Sequence, residues 1–144
     1  MVFRVAQTVR ALALGLWVGA MVGFAFVIAP LVFHALGPTP AFAGIIAGAV
    51  VGIASFGFAC GAAALVATAV AFRTEPRTSV LIGVLVLFML LASWYEIHSI
   101  VPLMAHTPLQ TPAYAALHHR SSALYSGILL AGLIAWIAGS LRDG

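Results

Sequence analysis

The chain has 144 residues, of which 64% are hydrophobic and 6% are charged, and its mean hydropathy is +1.19. Soluble domains carry about 25% charged residues, so this composition excludes an ordinary water-soluble domain and predicts a single all-α membrane domain over residues 1–144. The net charge of +3 does not predict nucleic-acid binding, because the chain contains no lysine and its six arginines form no basic cluster.

Four long apolar runs predict four transmembrane helices, because each is long enough to cross a bilayer and shows little strand-like alternation. The predicted spans cover residues 5–33, 40–72, 79–101 and 112–141. We expect Pro30 and Pro102 to bend or end the first and third spans. The loops between these spans are short, so almost the whole chain is expected to lie in the lipid bilayer.

The arginines predict the orientation of the spans. Five of them fall at one end of the predicted bundle and one near the other: Arg4, Arg10, Arg73, Arg77 and Arg142 against Arg120. The positive-inside rule then places both termini in the cytoplasm and the loops at 34–39 and 102–111 outside. The expected location is the inner (cytoplasmic) membrane of a bacterium.

The two outer loops carry one pattern twice. Residues 28–44 and 100–116 align without a gap at an offset of 72 residues, half the chain length, with eight of 17 positions identical. In each copy the loop ends in Thr-Pro, at Thr39 and Thr111, which suits a helix N-cap followed by the first helical position. The repeat predicts two parallel helical hairpins, related by a pseudo-two-fold axis along the membrane normal.

Glycines recur at a spacing of four residues in the first two spans. They are Gly15, Gly19 and Gly23 in the first span, and Gly44, Gly48, Gly52, Gly57 and Gly61 in the second. Small residues at this spacing let helix backbones approach closely in lipid, so we expect tight packing within the first hairpin. The alternatives are a homodimer face and a space for a flat cofactor.

The histidines are concentrated toward the predicted outer side. They are His34, His98, His106, His118 and His119, and Glu96 is the one acidic residue among them. Ionisable groups inside spans normally face the bundle interior or a water-filled cavity, and imidazole is a common ligand of transition metals. We therefore expect a metal site formed by His118, His98, His34 and Glu96, with Met104 as a further donor.

A haem held by two of the imidazoles of His34, His98 and His118 is an alternative. Ser121, Tyr125 and His119 are expected to support either site. On the fourth span Tyr114, His118, Ser121, Ser122 and Tyr125 share one sector, and Arg120 lies roughly opposite. Glu96 and His98 do not share a helix face, because they are two residues apart. The structural alternative is that each histidine is an isolated, water-bonded side chain near a helix end, which is favoured for His106 and His34.

Two segments resemble the transmembrane-protein-205-like family of small multi-span membrane proteins, which is also described as a domain of unknown function. They are the run from Leu14 to Phe33 and the motif Leu117-His118-His119-Arg120-Ser121. The resemblance implies that His118 and Ser121 are motif positions, although relatives tend to have an Asn shortly after the Ser where this chain has Leu124-Tyr125-Ser126. A eukaryotic member is linked to platinum-drug resistance, so the resemblance favours metal handling and supplies no mechanism.

Three hypotheses on function can be drawn from the sequence. The first is binding or passage of a metal ion or haem at the outer histidines. The second is an accessory subunit of a larger membrane complex of the respiratory or photosynthetic type, or a homodimer, because the chain offers little except helix faces. The third is a proton-coupled small transporter, since histidine and a buried glutamate can titrate. No catalytic residues are predicted, because the chain has no Ser-His-Asp order, phosphate-binding loop or paired carboxylates.

Overall fold

Four long helices make up the computed structural model, which describes residues 1–140. They are α1 (Val2–Leu36), α2 (Pro40–Ala71), α3 (Pro76–His106) and α4 (Pro112–Ser140), and each is long and apolar enough to cross a membrane. Residues 1–140 contain no strand. The predicted all-α fold, with four helices long and apolar enough to cross a membrane, is confirmed for the described residues. The predicted end of the last span at Leu141, and Arg142, lie outside them.

Pro30 and Pro102 do not end their helices, so α1 and α3 extend beyond the predicted spans. Each proline is the second residue after a π-helical turn. These turns are Phe24–Ile28 in α1 and Glu96–Ile100 in α3. The N–H of Ala29 donates to the Phe24 carbonyl, and the matching bond joins Val101 to Glu96. Proline lacks an N–H and its ring clashes with the carbonyl four residues before it. The wider turn moves this carbonyl aside, so the helix continues.

The structural repeat is longer than the sequence repeat. The π turns of α1 and α3 lie 72 residues apart, which is the offset of the repeated motif. Buried residues of α1 and α3 correspond at the same offset: Arg10 and Ile82, Leu14 and Val86, Trp17 and Met89, Met21 and Ser93, Phe24 and Glu96. The two halves therefore share a helix geometry where their sequences differ.

The two predicted helix caps are confirmed. The backbone N–H of Phe42 donates to Thr39 Oγ1 at 3.3 Å, and that of Tyr114 donates to Thr111 Oγ1 at 3.2 Å. In both cases the hydroxyl satisfies a donor that the first helical turn leaves free. The loops that precede these caps are shorter than predicted, because α1 ends at Leu36 and α3 at His106.

We expect Thr39→Ala to lower the free energy of unfolding by about 1 kcal/mol, because the substitution removes this cap. Thermal unfolding in detergent, followed by far-ultraviolet circular dichroism, measures the change. Thr8→Ala is the control, since the exposed Thr8 hydroxyl bonds only to the Arg4 carbonyl within the same helix. Equal midpoints for the two variants would contradict the expectation.

The helices contact one another in a ring. α2 contacts α1 and α3, and α4 contacts α3 and α1. We call the end of this bundle that holds residues 37–39 and 107–111 the repeat end, and the opposite end the terminal end. The pairing into two parallel hairpins and the cytoplasmic position of both termini stay predictions.

The bundle is tightly packed toward the terminal end around Trp17, which is 1% exposed. A Cβ at Gly57 would overlap the Trp17 indole, and a Cβ at Gly61 would lie 3.1 Å from Trp17 Cζ3, as well as 2.6 Å from Leu90 Cδ2 of α3. The expected packing within the first hairpin is thus confirmed for Gly57 and Gly61.

The prediction of tight packing is wrong for five other glycines of the pattern. Apart from the adjoining residues and backbone of the same helix, no atom lies within 4 Å of a Cβ built at Gly19, Gly23, Gly44, Gly48 or Gly52. The reason is that the buried residues of α2 all lie between Ala54 and Ala71, and those of α4 between Ile128 and Ala135. Toward the repeat end the helices are less tightly packed.

Arg10 is a buried structural residue as well as a predicted topology signal. It is 1% exposed, and its Nη2 lies 3.5 Å from Glu75 Oε2. Gln7 Nε2 donates to the other carboxylate oxygen of Glu75 at 3.1 Å. These contacts join α1 to the connection between α2 and α3, so we expect them to stabilise the terminal end of the bundle.

Candidate functional site

A cavity of about 770 Å³ lies at the repeat end, where α2 and α4 have no buried residues. All four helices and both repeated loops line it, and we call it the vestibule. Its polar lining residues are Thr39, Glu96, Thr107, Gln110, Tyr114, His118, Ser121, Ser122, Tyr125 and Ser126. The rest of the lining is mainly apolar, so the vestibule has the size and composition of a small-molecule site.

Glu96 lies at the floor of the vestibule. Ten residues separate it from the end of α3 at His106, which corresponds to a depth of about 15 Å. Its side chain is buried, with 4% of the residue exposed. Ser121 Oγ donates a hydrogen bond to Glu96 Oε1, whereas Oε2 is buried and has no hydrogen-bond partner in residues 1–140. Burying a carboxyl group at this depth with one oxygen free of hydrogen bonds costs free energy, and residues kept at such a cost usually have a function.

A second, much smaller cavity lies between Glu96 and the packed core. Its volume is about 20 Å³, enough for one water molecule, and Trp17, Ser93 and Tyr125 are among its lining residues. Glu96 and Tyr125 line both cavities. The carboxyl group therefore marks the boundary between the open and the packed parts of the bundle.

Two side chains of α4 form contacts at or next to the starts of the π turns. Tyr125 Oη donates to the Met21 carbonyl at 2.8 Å, and its ring lies 6.0 Å from that of Phe24, at the start of the first π turn. Ser121 bonds Glu96, at the start of the second. Phe24 and Glu96 are equivalent in the repeat, so one half supplies an aromatic ring where the other supplies a carboxyl group.

The predicted polar face of α4 is confirmed as one surface. Tyr114, His118, Ser121, Ser122 and Tyr125 all line the vestibule. Arg120, which was predicted to point the other way, is exposed and does not line it.

Only part of the predicted metal set reaches the vestibule. Glu96 and His118 line it, with Ser121 and Tyr125 of the supporting residues, but His34, His98 and His119 do not. Within residues 1–140 no three or more His, Cys, Asp or Glu side chains are grouped so that they could hold a metal ion. The structure thus does not bring His34, His98 and His118 together.

His98 has a local reason to stay apart from the others. Its Nδ1 lies 2.9 Å from the Trp94 carbonyl, and its ring stacks on the Trp94 ring with centroids 4.9 Å apart. Both contacts are made within α3. Glu96 is buried and His98 is exposed, which agrees with the prediction that the two residues do not share a helix face.

The aromatic lining and the π turns were not predicted from the sequence. Phe24 and Phe42 line the vestibule together with Tyr114 and Tyr125. The repeated Ile-x-Pro-Leu motif was the available signal for the π turns, because a proline inside a long apolar run requires a local change in the hydrogen-bond pattern. The aromatic lining had no such local signal, since Phe24 resembles any other apolar residue of its helix.

Comparison with known proteins gives a family and no activity. The family model described as a domain of unknown function (DUF4149) matches residues 12–107, about two thirds of the chain. The match includes Glu96 and stops before α4. No curated protein and no solved structure is detectably similar to the chain. The protein, which folds as four apolar helices, belongs to the DUF4149 family of unknown function.

Proposed function

We propose that this membrane protein binds a small molecule in the vestibule, with an apolar body against the helices and a polar group on Glu96. The observation that carries the proposal is the buried carboxyl group with one unpartnered oxygen, among residues 1–140, at the floor of a 770 Å³ cavity. Sites for small molecules are mostly apolar, and a few polar groups fix the orientation of the ligand.

The lining also supports entry from the bilayer. Ser122 and Ser126 line the vestibule, are exposed and lie within a membrane-spanning helix. Residues 38 and 110, in contrast, belong to the loops of the repeat end. A molecule with both apolar and polar parts can therefore reach Glu96 either along the lipid or through the loop side.

A photoreactive probe tests this proposal. An alkyl diazirine with a terminal hydroxyl group is irradiated with the protein in phosphatidylcholine nanodiscs, and the labelled residues are mapped by mass spectrometry. We expect saturable labelling of vestibule residues, which Ala47→Phe should reduce because Ala47 lines the cavity. Ala62→Phe is the matched control, since Ala62 is exposed on the same helix outside the vestibule. Labelling spread evenly over the lipid-facing residues would contradict the proposal.

A second candidate is a transition metal ion or haem. Its support is that Glu96, Met104 and His118 line the same vestibule, which brings a carboxylate, a thioether and an imidazole to one cavity. The resemblance to the transmembrane-protein-205-like family, proposed from the motif around His118, also favours this candidate. A metal would need ligands beyond Glu96 and His118, because the other predicted histidines lie elsewhere.

We expect His118→Ala to lose most of any bound metal or haem, and His119→Ala to lose little, because only His118 lines the vestibule. Elemental analysis and the visible spectrum of the purified protein, before and after reconstitution, measure the difference. If wild-type protein shows neither metal nor a Soret band after reconstitution, this second candidate is excluded.

A homodimer or larger membrane complex stays a prediction, as does proton-coupled transport. Gly48 and Gly52 support a homodimer or complex, because neither is buried in α2 and their surroundings leave room for a close contact with another helix. Native electrophoresis in a mild detergent tests it, and migration only at monomer size argues against a complex.

A further inference from the structure

We infer that the ligand of the vestibule is an organic cation, a protonated amine or quaternary ammonium on an apolar body, with Glu96 as its counter-ion. The inference rests on the proposed function and narrows it to one class of ligand. It depends on three features of the lining: its charges, its hydrogen-bonding groups and its aromatic rings.

The charges around the vestibule favour a positive ligand. Glu96 is the one acidic residue that lines it, no arginine of residues 1–140 does, and the one imidazole in the lining is that of His118. The buried Arg10, which could neutralise an acid, is paired with Glu75 near the terminal end. A carboxylate that is taken out of water needs a positive partner, and no charged partner of Glu96 is present in the described part of the chain.

Three hydroxyl groups that line the vestibule already donate their protons to other groups. Ser121 uses its proton on Glu96, and Tyr125 uses its proton on the Met21 carbonyl. Ser126 donates to the Ser122 carbonyl. Each of these hydroxyl oxygens keeps lone pairs that can accept, as does Glu96 Oε2. Such a floor suits the N–H groups of an amine and disfavours a phosphate or carboxylate, which would bring further acceptors.

Aromatic rings complete the match to a cation. Phe24, Phe42, Tyr114 and Tyr125 line the vestibule, and Phe24 and Tyr125 lie against each other next to the floor. The faces of such rings attract alkylated ammonium groups. The volume of about 770 Å³ is much larger than a metal ion requires, and most of the lining is apolar. We therefore expect the cation to carry a sizeable apolar body.

Two photoprobes of equal length test the inference, an alkyl diazirine with a terminal primary amine and its terminal alcohol. Both are used in nanodiscs of phosphatidylcholine, whose lack of net charge prevents the bilayer from concentrating the amine. We expect the amine to label the vestibule at a concentration roughly tenfold lower than the alcohol does, a difference of about 1.4 kcal/mol in binding. In Glu96→Gln this preference should disappear.

Further variants separate a loss of charge from a loss of fold. Glu96→Asp keeps the charge and should keep a preference for the amine. His119→Gln, outside the vestibule, should behave as wild type. Size-exclusion chromatography and circular dichroism establish that each variant is folded, and if Glu96→Gln does not fold, equal labelling of the wild type by the amine and the alcohol still overturns the inference.

The possible outcomes distinguish this inference from the proposed function. Equal labelling by amine and alcohol in the vestibule, unchanged in Glu96→Gln, overturns the inference and leaves the proposed function intact. Failure of both probes to label the vestibule overturns both. Displacement of the bound amine by micromolar Zn²⁺, but not by tetraethylammonium, assigns the site to a metal ion and also overturns the inference.

Discussion

Gly57→Ala should destabilise the protein by about 3 kcal/mol, because the added methyl group has no space. A Cβ at position 57 would overlap the Trp17 indole, and Trp17 is 1% exposed, so the ring cannot move into solvent or lipid. Overpacking a closed core typically costs about 1–3 kcal/mol, and the upper end applies here because two helices must separate to relieve it. A lower thermal midpoint and a weaker near-ultraviolet circular dichroism signal should report the change.

Gly48→Ala is the matched control for this prediction. Gly48 lies on the same helix, and no atom is within 4 Å of a Cβ built there. Alanine favours a helix interior over glycine by up to about 1 kcal/mol, so this variant should be neutral or more stable. Trp17→Phe should partly rescue Gly57→Ala, because the smaller ring leaves room for the methyl group. Equal stability of Gly57→Ala and Gly48→Ala would show that Trp17 and Gly57 are not packed as described.

Glu75→Ala should destabilise the terminal end of the bundle by about 3 kcal/mol, the lower end of the cost of breaking a buried ion pair from one side, because Glu75 itself is only partly buried. The substitution removes the ion-pair partner of Arg10, which is 1% exposed and already has an Nη1 without a partner in residues 1–140. A buried charge without its partner is more costly than the loss of the pair itself. Thermal and denaturant-induced unfolding in detergent measure the change in stability.

A double variant distinguishes the cost of leaving Arg10 buried without a partner from the loss of its attraction to Glu75. Arg10→Met together with Glu75→Ala should be more stable than Glu75→Ala alone, because no charge is then left buried. Arg77→Met is the control, since Arg77 is exposed at the same end of the bundle. If the double variant were the least stable of all, the attraction between Arg10 and Glu75 would outweigh the cost of burial.

The sequence predicted those features that depend on neighbouring residues. The four spans follow from the length of the apolar runs, and the caps at Thr39 and Thr111 from their place before proline. The polar face of α4 follows from helical periodicity, because this helix has no π turn among its described residues. Each of these features depends on residues within a few turns of one another.

The features that depend on several helices were less predictable. Gly48 and Gly57 belong to the same glycine pattern of α2, yet only Gly57 lies against a bulky side chain. The difference depends on where Trp17 of α1 lies, which the pattern within α2 does not indicate. The convergence of His34, His98 and His118 required the relative rotation of three helices. A π turn adds one residue and rotates the remainder of its helix by about 100°, so the faces of α1 and α3 beyond their prolines could not be read from a regular helix.

The dense packing beneath Glu96 limits how a bound molecule can leave. From Glu96 to the start of α3 at Pro76 the helix continues for about 30 Å. Along this length the core residues Ala64, Ala71, Ile82, Val86, Met89 and Ala135 are fully buried. The vestibule is thus closed toward the terminal end of the bundle, so the proposed ligand would enter and leave from the repeat end or sideways from the adjoining lipid. For the ligand that we propose, this shape favours storage, or delivery to another protein, over flux across the membrane.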